Sequence, residues 1–283
     1  MNREYDNKTL KRLQQVELEI LKDFMKICDE NNIKYFGFAG TGIGAIRHKG
    51  FIPWDDDIDI ALTRDDYERA LELVKDVYKD KYTVVNPEEF DKYPLMTTRI
   101  MKKGTKFVEF PLKDIDCELG IFLDVYAFDN ISDDPKEFKK QGRDAWFWSK
   151  LMILRSLPFP VLPVKGWKAR IIHCITAMVH YLMVIFRVSR KFLYRKCKEA
   201  CTRYNDRETR KIAYLCSTNP YTIYIDIDKL YPLVKYDFED TELYFPKDID
   251  SILRQQFGDY MQLPPVEKRK NHYPHELDFG SEE

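Results

Sequence analysis

Residues 55–62, Asp-Asp-Asp-Ile-Asp-Ile-Ala-Leu, place four carboxylates in five positions and then run directly into an apolar segment. On a strand, Asp57 and Asp59 point to the same face, about 6.6 Å apart at Cα given the usual rise per residue. Ile58, Ile60 and Leu62 then take the opposite face, suited to burial. Carboxylates this close repel one another unless a cation neutralises them. Oxygen-only ligands select a hard cation, Mg²⁺ or Mn²⁺. The competing reading is an acidic loop entering an ordinary strand, and the alternation of Asp with Ile weighs against it. An EF-hand is excluded, because the loop's obligatory Gly and terminal Glu are missing.

The acidic run closes a longer stretch, Phe36 to Leu62, whose first half is rich in glycine. Residues 33–39 read as a strand leading into Gly40-Thr41-Gly42-Ile43-Gly44, expected as a turn with a helix starting near Gly42. Small residues let backbone N–H groups approach an anion, and a helix start adds its positive end. A tight turn whose glycines serve geometry alone is the alternative. Gly40-x-Gly42-x-x-Ala45 also fits the dinucleotide-binding fingerprint. That fold needs a full helix after the glycines, whereas Gly50 and Pro53 interrupt after about two turns. Arg47, His48 and Lys49 could meet a pyrophosphate, with a solvated surface as the alternative for His48 and Lys49. Phosphate binding is assigned to Gly40, Thr41, Arg47 and His48. Asp55 and Asp56 are expected to shape the approach or to bind a cation through water.

The flanking segments read as scaffold. Leu10, Leu13, Val16, Ile20, Leu21, Phe24, Ile27 and Cys28 form one apolar stripe, predicting an amphipathic helix over 8–31. Thr63-Arg64-Asp65-Asp66 reads as a capping-box variant, opening a helix with Tyr67, Ala70, Leu71, Val74 and Val77 inward. Runs at 82–86, 95–101, 106–110 and 117–128 read as short strands, close enough for neighbours to pair antiparallel. Asp124 stands inside the last run, between Leu123 and Val125, where a carboxylate without a partner is costly. Its partner is either the Asp57/Asp59 pair with a metal ion, or Arg99 or another cation at the edge of the core.

The segment from Gly40 to Ile60, with its RHKGFIPWDDDIDI core, resembles the LicD family of phosphocholine and related phosphotransferases. GIFLDVYAFD at 120–129 and FGDYMQLPPVEKR at 257–269 extend the likeness to the middle and the end of the chain. One departure is Gly42-Ile43, where the family carries two larger apolar residues. The resemblance implies an α+β nucleotidyltransferase-like fold, a mixed β-sheet flanked by helices. It implies that Gly40-Thr41 is the phosphate-binding turn, that Asp57 and Asp59 are the metal-binding pair, and that Asp124 is a third carboxylate on a neighbouring strand.

Composition sets the remaining limits. A net charge of −1 over 283 residues gives no case for nucleic-acid binding. Six cysteines without a C-x-x-C pair fit reduced thiols in a cytoplasm. The charged N-terminus, MNREYDNKTLKR, lacks the apolar core of a signal peptide. No run reaches the ~20 apolar residues of a secure transmembrane helix. Residues 143–198 stand apart, with twelve basic residues and one acid, Asp144, a net +11 in a chain of total −1. Within them Ile171 to Phe186 is apolar apart from His173 and His180 and has cations on both sides, suiting a helix in the headgroup region of an anionic membrane. A buried helical hairpin with a basic rim is the alternative. Pro158, Pro160 and Pro163 are expected to break the segment into two helical parts. Three parts follow: a catalytic core at 1–142, a basic apolar helical insert at 143–198, and a C-terminal part at 199–283 completing the core.

Together these readings predict metal-dependent transfer of a phospho-alcohol group at the inner face of the cytoplasmic membrane. The expected reaction moves phosphocholine from CDP-choline to a hydroxyl of a cell-surface glycan (lipopolysaccharide, teichoic acid or capsule precursor), releasing CMP. The insert would border the acceptor if that glycan is built on a lipid carrier. Asp57, Asp59 and Asp124 are the expected catalytic and metal-holding residues. A nucleotide-sugar glycosyltransferase with an Asp-x-Asp site and a non-catalytic membrane-docked binding protein stay open as alternatives. The motif reads the CDP half of a donor and leaves choline, glycerol and ribitol headgroups undistinguished.

Overall fold

The structure, a computed structural model, describes residues 4–162, 164–269 and 271–280. It opens with α1 (Asn7–Glu30), capped by Asp6, whose carboxylate accepts from the Lys8 and Thr9 amides. Next come β1 (Phe36–Gly37), α2 (Ala39–His48), β2 (Asp59–Thr63) and α3 (Arg64–Val77). Four strands follow: β3 (Tyr82–Val85), β4 (Thr98–Lys102), β5 (Lys106–Val108) and β6 (Phe122–Ile131). The middle of the chain is helical, with α4 (Pro135–Ser156), α5 (Trp167–Ile185) and α6 (Arg190–Cys201). Then come β7 (Lys211–Ala213), β8 (Tyr224–Asp226), the short α7 (Ile227–Leu230), β9 (Val234–Phe238), β10 (Thr241–Phe245), α8 (Ile249–Phe257) and β11 (Glu276–Asp278).

Seven strands form one mixed sheet in the order β1-β2-β6-β4-β3, with β7 paired to β6 and β8 to β7. β2 and β6 run parallel, and the other pairs in this sheet are antiparallel. Side-chain alternation separates two faces. Ile60, Leu62, Leu123 and Val125 join the main core with α1 and α3, whereas Ala61 and Phe128 join Phe36, Phe38, Ile212 and Ile225 in a second cluster. Asp59 and Asp124 share the parity of the second set, so the sheet carries them on the face turned away from α1 and α3. Each fully buried Ile, Leu or Phe stabilises by roughly 1.5–3 kcal/mol. That scale lets the fold tolerate a charged row within its sheet.

The glycine segment departs from the expected turn. Gly40 to Gly44 are helical, within α2, and the strand expected over 33–39 shrinks to Phe36–Gly37. At Gly44 a methyl group would sit 2.3 Å from the Gly50 carbonyl oxygen, so glycine here lets the chain fold back against its own helix. The left-handed residue is Ala39, with φ at +48°, a conformation costing ~1–3 kcal/mol outside glycine. Thr63 is the N-cap of α3 but makes no side-chain cap bond, so no capping box forms. Asp65 and Asp66 instead place negative charge at the helix's positive end. Val77 is exposed rather than inward, because α3 ends there and its last turn overhangs the core. β5 pairs with β11 near the C-terminus instead of with a sequence neighbour.

In the helical region α4 runs through residue 143 without a break and packs closely on α6. α5 buries only Met183, leaving Ile171, Ile175, Met178, Leu182, Ile185 and Phe186 exposed. Its two histidines turn inward, His173 to the Pro160 carbonyl at 3.1 Å and His180 to the Leu154 carbonyl at 2.8 Å. That inward pairing is how an apolar helix accommodates them. By length and composition α5 suffices to cross a membrane. Pro158 and Pro160 fall in the α4–α5 connection, and Pro163 lies outside the described residues. The tight backbone approach at α2 gives a stability test: Gly44→Ala should cost about 1–3 kcal/mol in urea denaturation, and an unchanged midpoint would contradict the packing described.

Candidate active site

Asp59 opens β2, and Asp124 is its register partner on the adjacent parallel strand β6. Asp57 precedes β2 by two residues, outside the strand proper. The carboxylates of Asp57, Asp59 and Asp124 lie within 4.8 Å of one another. On the other side of Asp124 stands its antiparallel register partner Arg99, on β4. The Arg99 Nε donates to Asp124 at 3.0 Å, and its Nη1 donates to Glu109 at 2.6 Å. Arg99 and the aspartate pair were alternative partners for Asp124, and the fold supplies both.

Burial and mutual repulsion dominate the electrostatics. Burial pushes the Asp57 carboxyl up to about 6, with His272 pulling the other way. Asp59 is raised well above the ordinary carboxylate range by burial and then by Asp57 and Asp124. Asp124 is raised by burial, opposed by Arg99. Beneath them Glu17 of α1 is wholly buried, with both carboxylate oxygens lacking a hydrogen-bond partner. Burial and the negative charges of Asp56 and Asp57 hold Glu17 far above the range in which a carboxyl ionises. An all-oxygen set of three converging carboxylates, short of positive charge, fits a hard divalent cation.

The loop before β2 is fixed from several sides. Asp56 is buried and accepts from the Tyr5 hydroxyl at 2.7 Å and from the His272 backbone N–H at 2.8 Å. It therefore ties the C-terminal segment to the site rather than shaping an open approach. The Gln14 amide donates to the Asp55 carbonyl at 2.9 Å. His272 Nδ1 lies 3.3 Å from Asp57 and 3.4 Å from Asp56. Its hydrogen bond to Asp56, ahead of the Coulombic pull of Asp57, raises its pKa to about 10 despite burial.

Of the residues assigned to phosphate, Thr41 and Gly40 stand beside the carboxylates. Thr41 Oγ1 accepts from the Asp59 N–H at 2.8 Å. A Cβ at position 40 would come 3.1 Å from an Asp55 carboxylate oxygen. Arg47 and His48 occupy the last turn of α2, about two turns away at 1.5 Å per residue. The Arg47 guanidinium donates to the Tyr260 carbonyl at 2.6 Å and to His48 Nε2 at 2.9 Å, so neither residue is brought to the carboxylates. Glu17 went unassigned in the sequence. An acid falling between Leu13 and Leu21 on an apolar helical stripe was the signal for Glu17. His272 lies more than two hundred residues from Asp57 along the chain. Its charge pair can be tested in metal-free protein. A raised histidine pKa contributes stability in full below the ordinary value of 6.5 and loses it as pH climbs through about 10. His272→Gln should lower the melting temperature below pH 6.5, with the deficit closing toward pH 10; a deficit independent of pH would refute the ion pair.

Comparisons with known proteins give a family match and several relatives. Residues 32–159 match the family described as LicD/FKTN/FKRP, nucleotidyltransferase domain. The chain is 27% identical to the lipopolysaccharide cholinephosphotransferase LicD of Haemophilus influenzae, over 94% of this chain and 96% of that protein. An uncharacterized protein of Rickettsia prowazekii is 34% identical over 27% of this chain and 39% of its own length. One from Rickettsia typhi is 46% identical over 17% of this chain and 16% of its own. The matched region holds Asp57, Asp59, Arg99 and Asp124, and the longest match runs nearly end to end: residues 32–159 carry a LicD-type domain.

Proposed function

We propose that this protein transfers a phospho-alcohol group, phosphocholine from CDP-choline, to a hydroxyl of a cell-surface glycan precursor, releasing CMP. The observation carrying this reading is the convergence of Asp57, Asp59 and Asp124 in a chain similar over 94% of its length to a lipopolysaccharide cholinephosphotransferase. The fold would then be a variant of the nucleotidyltransferase architecture. Asp57, Asp59 and Asp124 would hold Mg²⁺ or Mn²⁺, which when bound neutralises charge on the diphosphate of the donor. Arg99 donates to Asp124 at 3.0 Å, opposing the upward push of burial and aiming the carboxyl, which suits a ligand better than a general base. His272, cationic beside Asp57, would receive a donor phosphate, and Thr41 would keep the start of β2 in register with it.

The acceptor side is drawn from the helical region. Tyr126 and Tyr214 line a cavity of about 320 Å³ with Ser149, Lys150 and Ile153 of α4. Tyr126 follows Asp124 by two residues on the same face of β6 and meets the Asp59 carboxyl, so one wall of this cavity adjoins the carboxylates. A glycan on a lipid carrier would be presented here by a protein docked on the membrane. The exposed apolar side chains of α5, with Lys168 and Arg170 in its first turns and Arg187 and Lys191 beyond its end, support peripheral binding at an anionic cytoplasmic surface.

Two measurements test these proposals. Screening CDP-linked choline, glycerol and ribitol donors for CMP release should give turnover with CDP-choline that requires Mg²⁺. Asp59→Asn should lower that rate by about 10²–10³-fold, and near-wild-type turnover by the variant would remove Asp59 from the site. Reversing Lys168, Arg187 and Lys191 to Glu should weaken sedimentation with anionic liposomes while leaving turnover on a soluble acceptor intact. Equal sedimentation would reject the membrane face.

A further inference from the structure

The six cysteines look scattered in the sequence, yet three of them meet in space. Cys197 and Cys201 lie one helical turn apart on α6, and Cys216 returns to them three residues beyond the end of β7. The Cys216 Sγ is 3.5 Å from the Sγ of Cys197 and 3.5 Å from that of Cys201, and all three sulfurs lie within 4.8 Å of one another. We propose that Cys197, Cys201 and Cys216 form a second metal site, holding one soft, thiophilic cation of the Zn²⁺ type and stapling α6 to the end of the sheet.

The spacing is that of a ligand set. Zinc–sulfur bonds of ~2.3 Å in tetrahedral arrangement put the sulfurs roughly 3.8 Å apart, so the thiols stand close to their metal-bound positions. A disulfide would consume two of the three and leave the last without a role. As plain apolar packing, the cluster would gain nothing from having three sulfurs converge on one point. Access matches as well. Cys197 and Cys201 are buried, whereas Cys216 is half-buried and lines the 320 Å³ cavity beside Tyr214 and Lys150. That cavity supplies an entry path and room for a water as fourth ligand. Cys197 also points at the Ala145 carbonyl of α4 at 3.5 Å, so the cluster sits where α4, α6 and the sheet meet.

Binding involves no electron transfer: each thiol that becomes a ligand loses its proton to solvent as its sulfur–metal bond forms. The donor set is soft where the carboxylate set is hard, so one chain would sort two kinds of cation. This site does not rest on the proposed activity. Its test uses the full chain, reduced and stripped of metal, titrated with Co²⁺ and then Zn²⁺. The expected result is the thiolate-to-cobalt charge-transfer absorption, saturating at one equivalent and bleached by Zn²⁺; carboxylates cannot produce it. Cys216→Ser should weaken the affinity by at least about tenfold, while the exposed Cys174→Ser and the carboxylate variant Asp59→Asn keep the band. Thermal melts guard against misfolding: Zn²⁺ should raise the melting temperature of the wild type but not of Cys216→Ser. No band in the wild type, a band retained in Cys216→Ser, or a Cys216 disulfide in protein isolated without oxidant would each overturn the site.

Discussion

The seating of Asp59 and Asp124 side by side on parallel strands is the constraint from which the rest of the structure follows. Two carboxylates in register would repel along the whole contact, and their burial removes the water that screens them. Arg99 answers from the third strand of the same row, held in turn by Glu109. The row β4-β6-β2 thus reads guanidinium, carboxyl, carboxyl at one level of the sheet. Asp57 and His272 close the open end, and Glu17 lies beneath with its carboxyl pKa pushed upward by burial. Parallel pairing of β2 with β6 requires a long crossover, and α3, β3 and β4 fill it. The crossover delivers Arg99 as well as the topology.

The acidic half of the site was legible because its signal is local. The close spacing of Asp57 and Asp59 marks the pair, although Asp57 precedes the strand that parity assumed, and a lone acid in an apolar strand marks Asp124. The register that joins them is a property of pairing across sixty-five residues, which no periodicity records. The glycine segment misled for a physical reason. Glycine permits close backbone approach in a helix as readily as a positive φ in a turn. The collision avoided at Gly44 is with Gly50, a contact visible only after the chain has folded back. Arg47 and His48 were read as phosphate ligands from charge and proximity in sequence, but two helical turns and the Tyr260 carbonyl carry them elsewhere.

The middle of the chain shows the same division. Its charge excess and apolar run are compositional, and α5 with its outward apolar side chains follows from them. The inward turn of His173 and His180 onto backbone carbonyls could not be read, since it depends on where α4 ends. The three thiols are the extreme case. No spacing rule links Cys216 to Cys197 and Cys201, and only the approach of β7 to α6 makes them a cluster. The proposed hard-cation site in the sheet and the proposed soft-cation site at the helical junction would use different ligand chemistry, so loading one need not disturb the other.

The account stands on the three carboxylates being a metal-holding centre for a nucleotide-linked donor. Anomalous diffraction from crystals grown with Mn²⁺ and CDP-choline addresses this without relying on turnover. The account predicts a manganese peak bounded by Asp57, Asp59 and Asp124, with the donor diphosphate against it. Manganese bound elsewhere with these carboxylates bare, or a donor lying away from them, would contradict it.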